Sequence, residues 1–411
     1  MFKSSCKTTY LAVVLALSFA GVAVAPRTTA AAEANHVSNA VGTRLQEAVK
    51  LANEKKFAEA LAKVREAQAQ AKTPFDTFTT QQFVVTFASQ SGDSAGALRA
   101  LEQIIDSQYL DEGTRFKYVK FMTAFYYQTR SYAKTIEFGQ RWLKSTPGDV
   151  DAIVLVGQSY FLQKDCKNAI KYMDQAIDTS ERSGKPLKEN YYKIKLQCVT
   201  DAGSAAGQLE VFQQLVEHFP SREYWDQLLT LSRRDVPDRT LLQMYRLMYE
   251  TDNVRSPSEY MEMAQLAIEF GYPGEAQNAL ERGFSTKVLE NDKDVDRFRR
   301  LLDGAKKEAD GDKRSLPLLD KESRNAKTGD ADVKLGFAYL TYGDSAKAIE
   351  ALERGIGKGG VKNMAEAKIF LGMAYLKAKR IDDAKKAFRE AKDDQILGKV
   401  AKLWLLKAGQ S

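Results

Sequence analysis

The sequence predicts an all-α fold, a solenoid of about nine to ten helical hairpins closed by a C-terminal helix. Three observations predict it. Apolar residues recur at three- and four-residue spacing along the chain, with no β-type alternation of any length. Small residues recur where two paired backbones must come close. Prolines test the pattern independently: Pro74, Pro147, Pro186, Pro220, Pro237, Pro257 and Pro273 fall between helices or at a helix start. A helix tolerates proline there and not in its interior.

The clearest hairpin is AEAKIFLGMAYLKAKRIDDAKKAFREA, from Ala365 to Ala391. Leu371, Tyr375, Ile381, Ala384 and Phe388 give each helix one apolar stripe. Gly372, Ala384 and Ala391 are the small residues between them. Such a hairpin cannot bury its own face and needs a neighbour.

The remaining elements follow in order. Lys3 and Lys7 precede an apolar run from Tyr10 to Ala25, and small-residue cleavage options follow at 23–25 and 30–32. Residues 1–32 therefore read as a secretory signal peptide, cut near Ala32, since Pro26 would follow a cut after Ala25. The rival, an uncleaved anchor, would need about 20 apolar residues. Cys6 precedes the run, which argues against a lipoprotein. Residues 33–40 are polar and expected to be disordered. Residues 41–291 carry the array, with Gly157, Tyr160 and Ala169 in one of its best units. Residues 292–328 are dense in charge and read as a diverged helical hairpin: one helix to about Asp310 and a shorter one after Ser315, with Pro317 out of register. Residues 329–394 carry two more units, the first marked by Gly336, Tyr339 and Ala348. Residues 395–411 read as a capping helix, with Trp404 as a packing residue.

Charge is mixed rather than clustered. The whole chain has 61 basic and 54 acidic residues; without residues 1–32 the balance is 58 to 54, or +4. Interspersed charge of this kind marks solvated helix faces and not a nucleic-acid stripe. Beyond residue 33 no apolar stretch is long enough to span a bilayer. His36 and His218 have no partners at metal spacing, so no metal or cofactor is expected. No nucleophile elbow, metalloprotease or phosphate-loop pattern occurs, so the chain is not expected to be an enzyme. Cys166 begins the second helix of its hairpin and Cys198 lies on the first helix of the next. They read equally well as a bridge between neighbouring hairpins or as two buried thiols.

The L-G-x2-Y…A-x3-F spacing of Leu371, Gly372, Tyr375, Ala384 and Phe388 resembles the tetratricopeptide repeat (TPR), and the likeness recurs over the mature chain. The resemblance implies a right-handed superhelix whose concave face binds peptides or protein segments. More narrowly, KPLKENYYKIKL, VFQQLVEHFPSREYWDQLLTL and SEYMEMAQLAIEFGYPGEAQNALERG, between Lys185 and Gly283, look like envelope repeat proteins of Gram-negative bacteria, some of them described as components of TonB systems. That likeness implies a periplasmic, protein-binding scaffold, an accessory of an energy-transducing transport system. The alternative is an assembly or structural factor for outer-membrane or cell-wall machinery; the remote one is a cell-wall cleaving enzyme on a helical superhelix. Groove positions carried over from the family are Lys117, Lys120, Tyr127, Gln128, Asp151, Gln158, Phe161, Lys193, Gln197, Arg233, Arg234, Met261 and Gln265. Cations and amides among aromatics suit an extended, partly acidic segment. The family's carboxylate clamp needs asparagines at two of these positions, and none is present.

Overall fold

The computed structural model describes residues 35–410. They form twenty α-helices and no strand. The chain divides into two compact units, one ending at Ser183 and one beginning at Gly184. The expected signal peptide lies outside the described residues.

The first unit contains α1 (Asn39–Asn53), α2 (Phe57–Gln70), α3 (Pro74–Ser91), α4 (Ser94–Ile104), α5 (Glu112–Gln128), α6 (Tyr132–Ser145), α7 (Val150–Leu162) and α8 (Cys166–Arg182). They stack as four hairpins. Val41, Leu45 and Ala48 of α1 pack on Ala60, Val64 and Ala67 of α2. A second cluster runs from Phe78 through Leu101, Met122 and Trp142 to Ala152. The chain is tied down earlier than the polar composition of 33–40 predicts. Val37 packs on the first cluster and the Ser38 amide donates to Asp76 at 2.9 Å, so α1 starts at Asn39.

The turn inside a hairpin repeats one device. After α7, Lys164 takes a left-handed conformation (φ 63°). The Asp165 amide then bonds back to Tyr160 O at 2.9 Å, while Asp165 Oδ1 accepts the Asn168 amide at 3.1 Å. One residue thus closes the first helix and caps the second. Asp344, after Gly343 (φ 84°), does the same with Tyr339 O and the Lys347 amide.

The small residues of the pattern are where the helices touch. A Cβ on Gly372 would lie 2.4 Å from the Phe388 ring, one on Gly157 2.4 Å from Met173, and one on Gly336 2.5 Å from Leu352. Opposite them Ala169, Ala348 and Ala384 are fully buried. The tyrosines of the pattern join hairpins: Tyr160 accepts from Gln140 Nε2 at 3.2 Å and Tyr375 donates to Glu353, both on the preceding helix pair.

The second unit contains α9 (Glu189–Asp201), α10 (Ala205–His218), α11 (Arg222–Ser232), α12 (Asp238–Glu250), α13 (Pro257–Glu269), α14 (Pro273–Ser285), α15 (Val295–Asn325), α16 (Asp330–Thr341), α17 (Ser345–Lys358), α18 (Met364–Lys377), α19 (Ile381–Ala391) and α20 (Gly398–Gly409). Two features depart from the sequence reading. Residues 292–328 are not a hairpin. They form the single 31-residue helix α15, with Pro317 inside it. Pro317 lies on the exposed face, where water can satisfy the freed carbonyl. Partners hold both halves of α15: Tyr342 donates to Asp312 at 2.7 Å, and Arg354 Nη2 reaches Asp320 at 2.8 Å. The second feature is α20. It packs on α19, as a cap would, but also on α10, α12 and α18. Gln410 fastens its end, accepting from Trp225 Nε1 at 3.1 Å and donating to Val216 O at 2.7 Å.

Two buried carboxylates should make this fold acid-sensitive. Asp332 accepts from Lys358 Nζ at 2.6 Å and Arg354 Nε at 2.7 Å. Asp76 accepts the amides of Ser38, Lys72 and Thr73. Burial pushes each carboxyl up, but these donors outweigh it and hold both below the usual carboxylate range. A depressed folded pKa gives stability that is complete above the unfolded value and lost as pH falls toward the folded one. The urea midpoint should therefore drop between pH 5 and pH 3, and Asp332→Asn should flatten part of that drop. An equal slope in wild type and variant would refute the assignment to Asp332.

Candidate functional site

In the first unit, α5 (FKYVKFMTAFYYQ) and α7 (VDAIVLVGQSYFL) are apolar around most of their circumference, unlike the two-faced α6 and α8. One side of each builds the core. The other side is partly exposed, though Phe125 and Leu155 on it also reach the core. On α5 it carries Lys117, Phe121, Phe125 and Gln128, at steps of three and four. On α7 it carries Asp151, Leu155, Gln158 and Leu162 at the same steps. α5 and α7 pack side by side, so these rows adjoin. Phe121 is 37% exposed and Leu162 45%. Phe121 and Phe125 rings lie 6.0 Å apart. The result is an apolar strip with Lys117, Gln128, Asp151 and Gln158 among its polar groups.

The structure sorts the predicted groove residues. Lys117, Gln128, Asp151 and Gln158 lie on this face, and Phe161 is half-buried beside it. Lys120 does not project freely. Its ammonium sits 4.2 Å from the Trp142 ring centroid and 3.5 Å from Asp149 Oδ2, which also accepts from Trp142 Nε1 at 3.0 Å. It covers the core. Tyr127 turns to Tyr132, across its own hairpin turn, with centroids 6.1 Å apart. In the second unit Lys193 pairs with Glu189 at 3.2 Å and Gln197 donates to Asp201 at 2.7 Å. Arg233 is drawn to Glu259 at 2.8 Å and over the Tyr245 ring, while Arg234 is exposed. Met261 is half-buried and Gln265 exposed. Cys166 opens α8 of the first unit, and Cys198 is buried on α9 of the second.

Sequence reasoning missed the interior of the second unit. α12 is buried on every side, including all seven residues from Leu242 to Met248. Arg246, 2% exposed, forks onto Glu275 with two bonds of 2.7 Å. Its guanidinium lies 4.3 Å from the Phe337 ring and 5.0 Å from Phe370, which stack at 4.0 Å. Burial pushes the adjacent Tyr272 phenol up to about 12, so it stays neutral. Beside this cluster is a cavity of about 420 Å³, walled also by Met263, Leu340, Met373 and Trp404. Lys377 and Glu250 pair at its edge, at 2.8 Å. Its size falls within the range of small-ligand pockets.

The tetratricopeptide repeat model matches residues 333–396, which run from within α16 to just beyond α19. Over these two hairpins the chain is similar to tetratricopeptide repeats. The geometry above agrees, since Gly336 and Gly372 occupy the close approaches of both. No curated protein matches the chain. Among solved structures, a tetratricopeptide repeat protein from Parabacteroides merdae is 11% identical, with 91% of this chain and 100% of that one covered and a TM-score of 0.28. The TPR2AB domain:pHSP90 complex of yeast Sti1 is 12% identical, with 73% and 100% covered and a TM-score of 0.24. The Naa15/Naa10 structure bound to HypK-THB is 14% identical, with 88% and 60% covered and a TM-score of 0.30.

Among the described residues no helix is long and apolar enough to cross a membrane, and no cluster of His, Cys, Asp or Glu suits a metal ion.

Proposed function

We propose that the chain is a non-enzymatic scaffold of the Gram-negative periplasm that holds an extended segment of a partner protein, as an accessory of an energy-transducing transport complex. The open face of α5 and α7 carries this reading. A helix apolar on two sides has more apolar surface than its own hairpin covers, and Phe121 and Leu162 are that surplus, with half-buried Phe125 beside them. Lys117, Gln128 and Gln158 supply the polar contacts that fix a backbone beside it. The periplasm and the transport complex rest on the leader-like start and on the Lys185–Gly283 resemblance.

The test is crosslinking in intact cells from a photoreactive residue at position 117, compared with the double variant Phe121→Glu, Leu162→Glu. Both substituted side chains are already partly exposed, so the helix content should not change. The reading expects at least a tenfold loss of the captured protein, corresponding to about 1.4 kcal/mol or more. Undiminished capture would remove α5 and α7 as the site. Release of fragments from isolated cell walls by the purified protein would replace the scaffold reading with the enzymatic one.

A further inference from the structure

The second unit has a separate recess that neither repeat packing nor the partner-binding reading uses. It encloses about 440 Å³ between the start of α11, the α12–α13 connection and the end of α14. Three guanidinium groups line it, from Arg222, Arg255 and Arg282, against one carboxylate, from Asp252.

The three cations are held differently. Arg282 lies 4.3 Å over the Tyr249 ring, donates to Tyr249 O at 2.8 Å and pairs with Asp252. Its charge is matched. Arg255 Nη2 donates to Asn253 Oδ1 at 3.0 Å; Asn253 is buried and fixed by two bonds to Thr251, so Arg255 is aimed by a rigid group. Its other fork nitrogen, Nη1, makes a long ion pair with Asp226 at 3.7 Å. The exposed Arg222 guanidinium makes no hydrogen bond or salt bridge among the described residues. Arg222 is thus the lining cation that no ion pair among the described residues matches, Arg255 is matched only at long range, and arginine cannot shed its charge by deprotonation. Buried Tyr260 forms part of the apolar wall, which lowers the local dielectric and strengthens any ion held there.

We propose that this recess binds a small oxyanion of the carboxylate or phosphate class, gripped by the forks of Arg222 and Arg255. Guanidiniums that line one recess match the planar or tetrahedral oxygens of such a group, whereas a cation or a purely apolar ligand would leave Arg222 uncompensated. The oxyanion is either a free small molecule or an acidic side chain of a bound polypeptide. The proposal does not rest on the α5–α7 reading, and its test needs no partner.

The full chain is titrated calorimetrically with inorganic phosphate, with succinate and with a short peptide of glutamates, in chloride buffer. At least one should saturate with a dissociation constant of about 1 mM or tighter, weakening as salt rises. Saturation by phosphate or succinate identifies a free anion; saturation by the peptide alone identifies a side chain. Arg222→Gln with Arg255→Gln should weaken binding at least tenfold, and Arg222→Lys, which keeps the charge but loses the fork, should fall between. Circular dichroism checks that the variants fold. No saturation by any of the three, or equal binding by the double variant, would overturn the proposal.

Discussion

Glu275→Ala should cost the second unit about 3–5 kcal/mol, the loss seen when one partner of a buried ion pair is removed. Arg246 is 2% exposed, and its two bonds to Glu275 are the only ones it makes to an acid among the described residues. In the native protein the pairing holds the Arg246 pKa above its ordinary value despite burial, and without it the guanidinium is still too basic to escape by deprotonation. Nη1 has no acceptor among the described residues, and three aromatic rings surround the guanidinium. Without Glu275 a full charge stays among Phe337, Phe370 and Tyr272, balanced by their quadrupoles and by the more distant Glu366, to which Arg246 makes no hydrogen bond. Urea denaturation followed by circular dichroism measures the loss. Added salt should not change it, since the pair is out of solvent. The double variant Arg246→Met, Glu275→Met should recover most of the stability, because an apolar pair of similar volume removes the charge itself. A single variant within about 1 kcal/mol of wild type would mean that water reaches the pair.

This cluster also marks where the sequence stops being legible. Hairpin positions could be read because their causes are local: a small residue at a close approach, a proline at a helix start. Gly336, Gly372 and Pro257 act over a few residues or one helix pair. Arg246 and Gln243 are different. In LLQMYRLMY they sit one turn apart and read as a solvated stripe; their partners Glu275 and Glu366 are 29 and 123 residues away. Pro317 misled for a related reason. Proline ends a helix by default, and only tertiary contacts on both sides of it, to Tyr342 and Arg354, carry α15 through. At the candidate face, family positions found Lys117, Gln128 and Gln158 but also Lys120, which the core claims through Trp142. The apolar surplus of α5 and α7 was visible in the residues as a helix greasy on two sides, and that signal would have found Phe121 and Leu162 directly.

The position of α20 gives the second large effect. Trp404 is 1% exposed and stacks on Phe388, with centroids 5.7 Å apart and planes 16° from parallel. Trp404→Ala should cost about 3–5 kcal/mol, the range for emptying a buried aromatic site. Trp404→Phe should cost less than about 1.5 kcal/mol, because it keeps the stack and removes an indole N–H that has no acceptor among the described residues. The size of the loss does not by itself separate a cap from an internal strut; its location does. A cap on α19 alone would transmit the damage to α18 and α19. A strut that also touches α10 and α12, and is latched by Gln410 to Trp225 and Val216, must loosen those helices as well. Hydrogen exchange on the full chain distinguishes the two. In Trp404→Ala the amides of α12, sheathed in the native protein, should lose protection together with those of α19. Loss confined to α18 and α19 would return α20 to the role of an end cover and leave the interior of the second unit to α12 alone.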